Sequence, residues 1–254
     1  MSETKRLTPD LLVIGAGSGG LVMASGAVQM GASVVLLEGH EMGGDCLNFG
    51  CVPSKALIAS AKAAYQQAHS GPFGVASVTP KVDYAAAMEH VAHAIATIEP
   101  HDSQERFEKL GVTGIRDYGT FISDREGKAG DTIIKPRRIV IATGARPMTL
   151  NIPGEELLAT STDFLELPER PDRVVFVGGG FIAMEFAHIS KRAGAREVTV
   201  LEMMERPLGN FDPDLVAILS EATADLGVDL RTEAKVLKIE KNGTGFTVAY
   251  ETPT

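Results

Sequence analysis

Apolar residues along the chain fall in short continuous runs set off by glycine-rich turns, not in the strict alternation of half-exposed strands. Leu11–Ile14 is one such run and predicts a parallel strand buried on both faces. Gly15-Ala16-Gly17-Ser18-Gly19-Gly20 breaks it. Leu21 to Met30 then reads as a helix of small residues, Gly31 ends it, Ser33–Leu37 is a second strand, and Glu38 closes the unit. The order recurs between Arg173 and Glu202. Val174–Val177 is apolar, Gly178-Gly179-Gly180-Phe181-Ile182-Ala183 follows, a helix runs to about Arg192, Gly194 ends it, and Val198–Leu201 leads to Glu202. Gly15 corresponds to Gly178, Gly20 to Ala183 and Glu38 to Glu202, at an offset constant to within one residue.

Leu11 to Leu37 carries no charge, which by hydropathy alone suggests a membrane span or a leader. The glycines within it break any single long helix, and the polar start Met1–Asp10 is unlike a basic leader, so no membrane segment is expected. Near the end, Leu237–Glu240 and Phe246–Glu251 flank Asn242-Gly243, a hairpin signal.

The repeated unit has one physical logic. The first glycine allows a tight turn. The second lets backbone approach a pyrophosphate, and the third position must be small for the helix to pack on its strand. The helix N-terminus offers unpaired N–H groups and a positive dipole end to phosphates. The acid ending the second strand is placed to accept from ribose hydroxyls. Two dinucleotide sites are therefore expected, with Gly15, Gly17, Gly20 and Glu38 serving one and Gly178, Gly180, Ala183 and Glu202 the other. The fold class is α/β, with two Rossmann-like dinucleotide-binding units, residues 1–150 and 151–254.

Net charge is −9 with no long Lys or Arg run, which argues against nucleic-acid or anionic-membrane partners. The chain has two cysteines, too few for a secreted disulfide scaffold, and a cytoplasmic location is expected. They lie close together in Gly43-Gly44-Asp45-Cys46-Leu47-Asn48-Phe49-Gly50-Cys51-Val52-Pro53-Ser54-Lys55. Such a pair points to redox or metal chemistry, and no neighbouring His or Cys completes a zinc pattern, so no metal site is expected. Pro53 suits a first helical turn, which puts Cys51 at a helix start, where the dipole favours a thiolate. If Cys51 is helical, Lys55 shares its face. Two inert buried cysteines are the plainer alternative.

The segment GGDCLNFGCVPSK closely resembles the redox motif of the class I pyridine nucleotide–disulfide oxidoreductases, which include dihydrolipoamide dehydrogenase, mercuric reductase and glutathione reductase. Ile141-Ala142-Thr143-Gly144-Ala145-Arg146-Pro147 and GGGFIAMEFA extend the resemblance over nearly the whole chain. It implies FAD on the first unit and NAD(P)H on the second, with Cys46 and Cys51 as a redox-active disulfide. Cys46 would exchange with a disulfide or dithiol substrate, and Cys51 would lie against the flavin. Lys55 would reach the flavin, paired with Glu185, and Phe181 would shield it. Gly44, Gly119, Ala142, Thr143 and Gly144 would touch FAD. Asp45 departs from the commoner threonine and is poorly placed for phosphate. Glu202, with Met203 and Gly209 where NADP-preferring members carry arginine, favours NAD.

The resemblance also implies later segments that this sequence does not contain. These are the return strand of the nicotinamide domain, a second FAD segment, and a C-terminal interface domain that forms the homodimer and supplies a His–Glu acid–base. The chain is thus expected to be the front part of such an enzyme, dihydrolipoamide dehydrogenase-like or mercuric reductase-like, and inactive alone. Two rival readings are a flavin oxidase without a redox disulfide and a non-catalytic dinucleotide-binding module.

Overall fold

The computed structural model describes residues 5–253; the first four residues of the polar start, and Thr254, lie outside them. The elements run β1 (Lys5–Leu7), β2 (Leu11–Ile14), α1 (Ser18–Gln29), β3 (Val34–Leu37), α2 (Gly44–Asn48), α3 (Cys51–Ala68), α4 (Tyr84–Asp102), α5 (Gln104–Lys109), β4 (Thr113–Ile115), β5 (Thr120–Ser123), β6 (Glu126–Ala129), β7 (Thr132–Ile134) and β8 (Arg138–Ile141). There follow α6 (Ser161–Leu165), β9 (Arg173–Val177), α7 (Phe181–Arg192), β10 (Glu197–Leu201), α8 (Pro213–Asp225), β11 (Asp229–Arg231), β12 (Lys235–Asn242) and β13 (Gly245–Glu251). The chain divides into two compact units, residues 1–53 with 92–146, and residues 54–91 with 147–254.

The first unit holds a parallel sheet of order β4-β3-β2-β8. Its strands are apolar on both faces because both faces are covered. Val13, Val34 and Leu36 pack with Leu21, Ala24 and Ala27 of α1 and Phe107 of α5. Leu12, Val35 and Leu37 face the other way, onto Ala129 and Ile134 of a second sheet, β1-β7-β6-β5. Strand β2 has β3 on one side and β8 on the other, so the chain reverses its direction of winding at the carboxyl ends of β2 and β8, the place where open α/β sheets bind ligands.

The second unit repeats the pattern with the parallel order β11-β10-β9. Val198 and Val200 pack with Met184 and Ala187 of α7. On the other face Leu201 packs with Val236 and Ile239 of the hairpin β12-β13. That hairpin is antiparallel and turns at Gly243-Thr244, Gly243 adopting φ 60°. Among the described residues, no helix is long and apolar enough to cross a membrane.

Candidate functional site

In the first unit the glycine loop joins β2 to α1 at the sheet's switch point. Gly15 takes φ 102°, and a Cβ there would stand 2.3 Å from the carbonyl oxygen of Ala142, at the end of β8. A Cβ on Gly20 would stand 1.8 Å from the Gly15 oxygen, so the third position of this loop admits only glycine. Gly17 is the N-cap of α1, with no side-chain cap and no acid in the first turn. A Cβ on Gly17 would meet nothing nearer than the Gly44 Cα at 3.9 Å. The backbone above this helix start is therefore open to a ligand and its N–H groups are uncommitted to side chains, which fits a pyrophosphate.

The second loop has the same build. Gly178 takes φ 94°, and Gly180 is the N-cap of α7, again without a side-chain cap or first-turn acid. A Cβ on Gly180 would meet nothing within 4 Å. Here the third position is Ala183 and carries a Cβ, so the two loops differ in how tightly helix meets strand.

The two acids share one arrangement. Glu38 accepts from the backbone N–H of Ala16 at 2.6 Å and from His40 at 2.7 Å. Glu202 accepts from Gly179 at 2.6 Å and from Met204 at 2.8 Å. Each acid thus ties its strand end to the glycine loop, a role the sequence reading did not assign to either. Arg206, the cation near Glu202, donates to the carbonyls of Gly209 and Phe211 at 2.8 and 3.0 Å and is held by its own loop.

The cysteine segment belongs to the first unit through its glycines. Gly43 pairs with Gly17 in an isolated parallel bridge, and a Cβ on Gly44 would lie 2.7 Å from the Gly17 Cα. Asn48 closes the following turn by donating to the carbonyls of Gly44 and Met42 at 2.9 and 3.0 Å. Cys46 lies in α2, half-buried, and Cys51 is the exposed first residue of α3. They stand as thiols, hydrogen-bonded to each other. Burial first, and then the hydrogen bond and charge of Cys51, push the Cys46 thiol up to about 11. Gly119 lies ahead of β5, close against Leu37, and Gly144 takes φ 72° after β8.

In the second unit Lys55 and Glu185 meet. The Lys55 ammonium donates to both carboxylate oxygens of Glu185 at 2.7 and 2.8 Å, on side chains 58% and 36% exposed. The positive charge that the sequence reading set beside the Cys51 thiol is thus engaged by Glu185. One turn before Glu185, Phe181 is 62% exposed at the start of α7. A cavity of about 290 Å³ next to them is lined by Ile58, Met184, His188, Arg192 and Leu219. His188 bonds Thr223 at 2.8 Å, and burial, then the Arg192 charge, lowers its pKa. His90 and His93 are exposed on α4. No cluster of three or more metal-ligating side chains occurs among the described residues.

A family profile described as "Pyridine nucleotide-disulphide oxidoreductase" matches residues 9–254. The chain is 32% identical over 245 residues to the mercuric reductase of Staphylococcus aureus, covering 95% of this chain and 44% of that protein. It is 35% identical over 242 residues to the dihydrolipoyl dehydrogenase of Chlamydia muridarum, covering 92% and 51%. In structure it resembles the Cu(II) complex of the HOCl-induced flavoprotein disulfide reductase RclA from Escherichia coli, with TM-score 0.79 and 26% identity over 95% of this chain and 52% of that one. The chain spans about half the length of these relatives.

Proposed function

The chain belongs to the pyridine nucleotide-disulphide oxidoreductase family, and from that premise we propose that it is the dinucleotide- and thiol-bearing part of an FAD- and NAD(P)H-dependent oxidoreductase acting on a disulfide or dithiol. The observation that carries the reading is the approach of Gly44 to Gly17, which builds the cysteine segment onto the nucleotide loop. Residues 1–150 form the FAD-binding part and residues 151–254 the nicotinamide-nucleotide part. Gly15, Gly17, Gly20, Glu38, Gly44, Gly119, Ala142, Thr143 and Gly144 hold FAD, with Lys55. Gly178, Gly180, Phe181, Ala183 and Glu202 hold the nicotinamide nucleotide. Bound FAD would supply a two-electron relay between a hydride donor and the thiol pair.

The chain's own residues supply the exchange chemistry. With its pKa raised, Cys46 keeps its proton at neutral pH, and that proton must leave before Sγ attacks. The Cys46 thiolate then bonds to one substrate sulfur while the other departs as thiolate. Cys51 Sγ displaces the remaining substrate thiol, and the Cys46–Cys51 disulfide forms. Overall one dithiol and one substrate disulfide become one disulfide and two substrate thiols. Lys55 and Glu185 form a paired charge whose function is to position the nucleotides.

NAD is the favoured nucleotide. Glu202 would repel a 2′-phosphate, and Arg206 is occupied by its own loop carbonyls. The enzyme acts as a cytoplasmic homodimer without nucleic-acid or membrane partners. NADH-linked reduction of lipoamide by the whole protein tests the reading. Cys46→Ser should lower kcat/KM by several orders of magnitude, and an unchanged rate would refute it. A second reading is reduction of a soft metal ion such as Hg(II), favoured by the mercuric reductase relatives. Hg(II)-dependent NADH or NADPH oxidation exceeding the lipoamide rate would select it.

A further inference from the structure

The cysteine loop carries a carboxylate that disulfide exchange does not itself require. Asp45 immediately precedes Cys46, and Gly50 immediately precedes Cys51. The chain folds back between them, Phe49 donating its N–H to the Asp45 carbonyl at 2.8 Å. A Cβ on Gly50 would stand 2.7 Å from Asp45 Oδ2 and 3.0 Å from the Asp45 carbonyl oxygen. The carboxylate therefore occupies the side-chain space of Gly50, bridging the two arms that bear the thiols. It is turned into the loop instead of toward the glycine-loop helix start.

From this geometry, and resting on the redox role proposed above for Cys46 and Cys51, we infer that Asp45 is a positioning residue that sets the thiol–thiolate balance of the pair. Its charge is left standing: among the described residues no ion pair neutralises it. Arg116 is engaged by the His40 carbonyl and lies 4.0 Å from Glu41, and Lys55, four residues after Cys51, is engaged by Glu185. The His40 ring lies 6.3 Å from that of Phe49. Asp102, the last residue of α4, places a negative charge that is felt at Cys46.

An anion beside the pair acts on one form alone. Dithiol and disulfide are both neutral, and a thiolate is not. Asp45 therefore lowers the thiolate fraction at a given pH. Above the thiol pKa it also makes the disulfide harder to reduce, because ionisation no longer favours the reduced form as strongly. Below that pKa it has no leverage on the couple. A packing role for Asp45 would act equally at all pH values, so the pH profile separates the two.

The chain's two cysteines make alkylation report on this pair alone. The test takes the full 254-residue chain as wild type, Asp45→Asn, which keeps the shape and removes the charge, and Asp45→Thr. Iodoacetamide alkylation of the reduced protein is followed against pH, and the equilibrium with dithiothreitol is measured at pH 6 and at one pH unit above the wild-type alkylation midpoint. In Asp45→Asn the alkylation midpoint should fall by about half a pH unit, as expected for one exposed, partly screened charge. The equilibrium constants should agree at pH 6 and differ by about threefold at the higher pH, with the variant more reducible. Asp45→Thr should follow Asp45→Asn, and it supplies the result if circular dichroism shows the asparagine variant unfolded. Identical midpoints, or a difference of equal size at both pH values, would overturn the role of Asp45 and leave the redox reading standing. Failure of wild type and variants alike to form a Cys46–Cys51 disulfide would overturn both.

Discussion

The carboxylate of Glu202 accepts a 2.6 Å hydrogen bond from the backbone N–H of Gly179, the second residue of its glycine loop. Glu38 and Ala16 repeat that relationship at the same distance in the other unit. The acid at the strand end is thus both a candidate ribose acceptor and a clasp that holds the glycine loop. Glu202 is buried, so the clasp operates where an unmet N–H is costly.

Glu202→Ala should therefore do two things. It removes a charged acceptor from two N–H groups, and about 1.5–3 kcal/mol of stability should go with it, read by denaturant unfolding. It should also narrow the NADH over NADPH preference in kcat/KM. A wild-type enzyme that prefers NADPH would show that Glu202 does not face the ribose.

Gly20 and Gly17 should separate folding from binding. A Cβ on Gly20 collides with the Gly15 oxygen, so Gly20→Ala should destabilise the protein by about 1–3 kcal/mol or more. A Cβ on Gly17 meets only the Gly44 Cα, at an ordinary van der Waals distance of 3.9 Å, so Gly17→Ala should leave the melting temperature nearly unchanged while weakening FAD binding at least severalfold. Unaltered FAD affinity in Gly17→Ala would remove that loop from the cofactor site.

Glu185→Gln addresses the pair with Lys55. Both side chains are substantially exposed, so the ion pair should contribute about 1 kcal/mol or less to stability. Its loss should instead appear in the NADH-dependent rate, measured by stopped flow, as a fall of about tenfold or more. A large loss of stability with an unchanged rate would make the pair structural.

Much of this was legible in the sequence because it depends on neighbours. Leu11–Ile14 is a strand with the bounds its apolar run indicates, Cys51 does begin a helix, and the glycine loops sit between strand and helix in both units. Long-range packing was not legible. Nothing local in Ser54–Val91 announces that it groups with residues 147–254, and nothing in the Glu38 or Glu202 spacing reveals a clasp on loop N–H groups. Asp45 was visible as a misfit at a phosphate site. Its contact with Gly50 required the turn to be closed in space.

The thiols should also differ in reactivity. Cys46 is the less exposed of the two and is raised to about 11, so iodoacetamide at pH 8 should label Cys51 ahead of Cys46, as peptide mass mapping would show. Because the folded state raises Cys46 above its ordinary value of 9.0, it holds a proton there that the unfolded chain has released. The contribution to stability is complete below pH 9 and lost as pH rises toward 11, so the reduced protein should be easier to unfold across that window. Preferential labelling of Cys46 would show that burial does not hold its thiol back.

The most direct test of electron flow through Cys46 and Cys51 is a thiol count on the whole, FAD-loaded protein, made anaerobically before and after one equivalent of NADH. In the oxidised protein neither Cys46 nor Cys51 should be alkylated, and after NADH treatment both should be, as peptide mapping would show. Consumption of NADH with the thiol count unchanged would contradict the account and place the protein among flavin enzymes that do not use a redox disulfide.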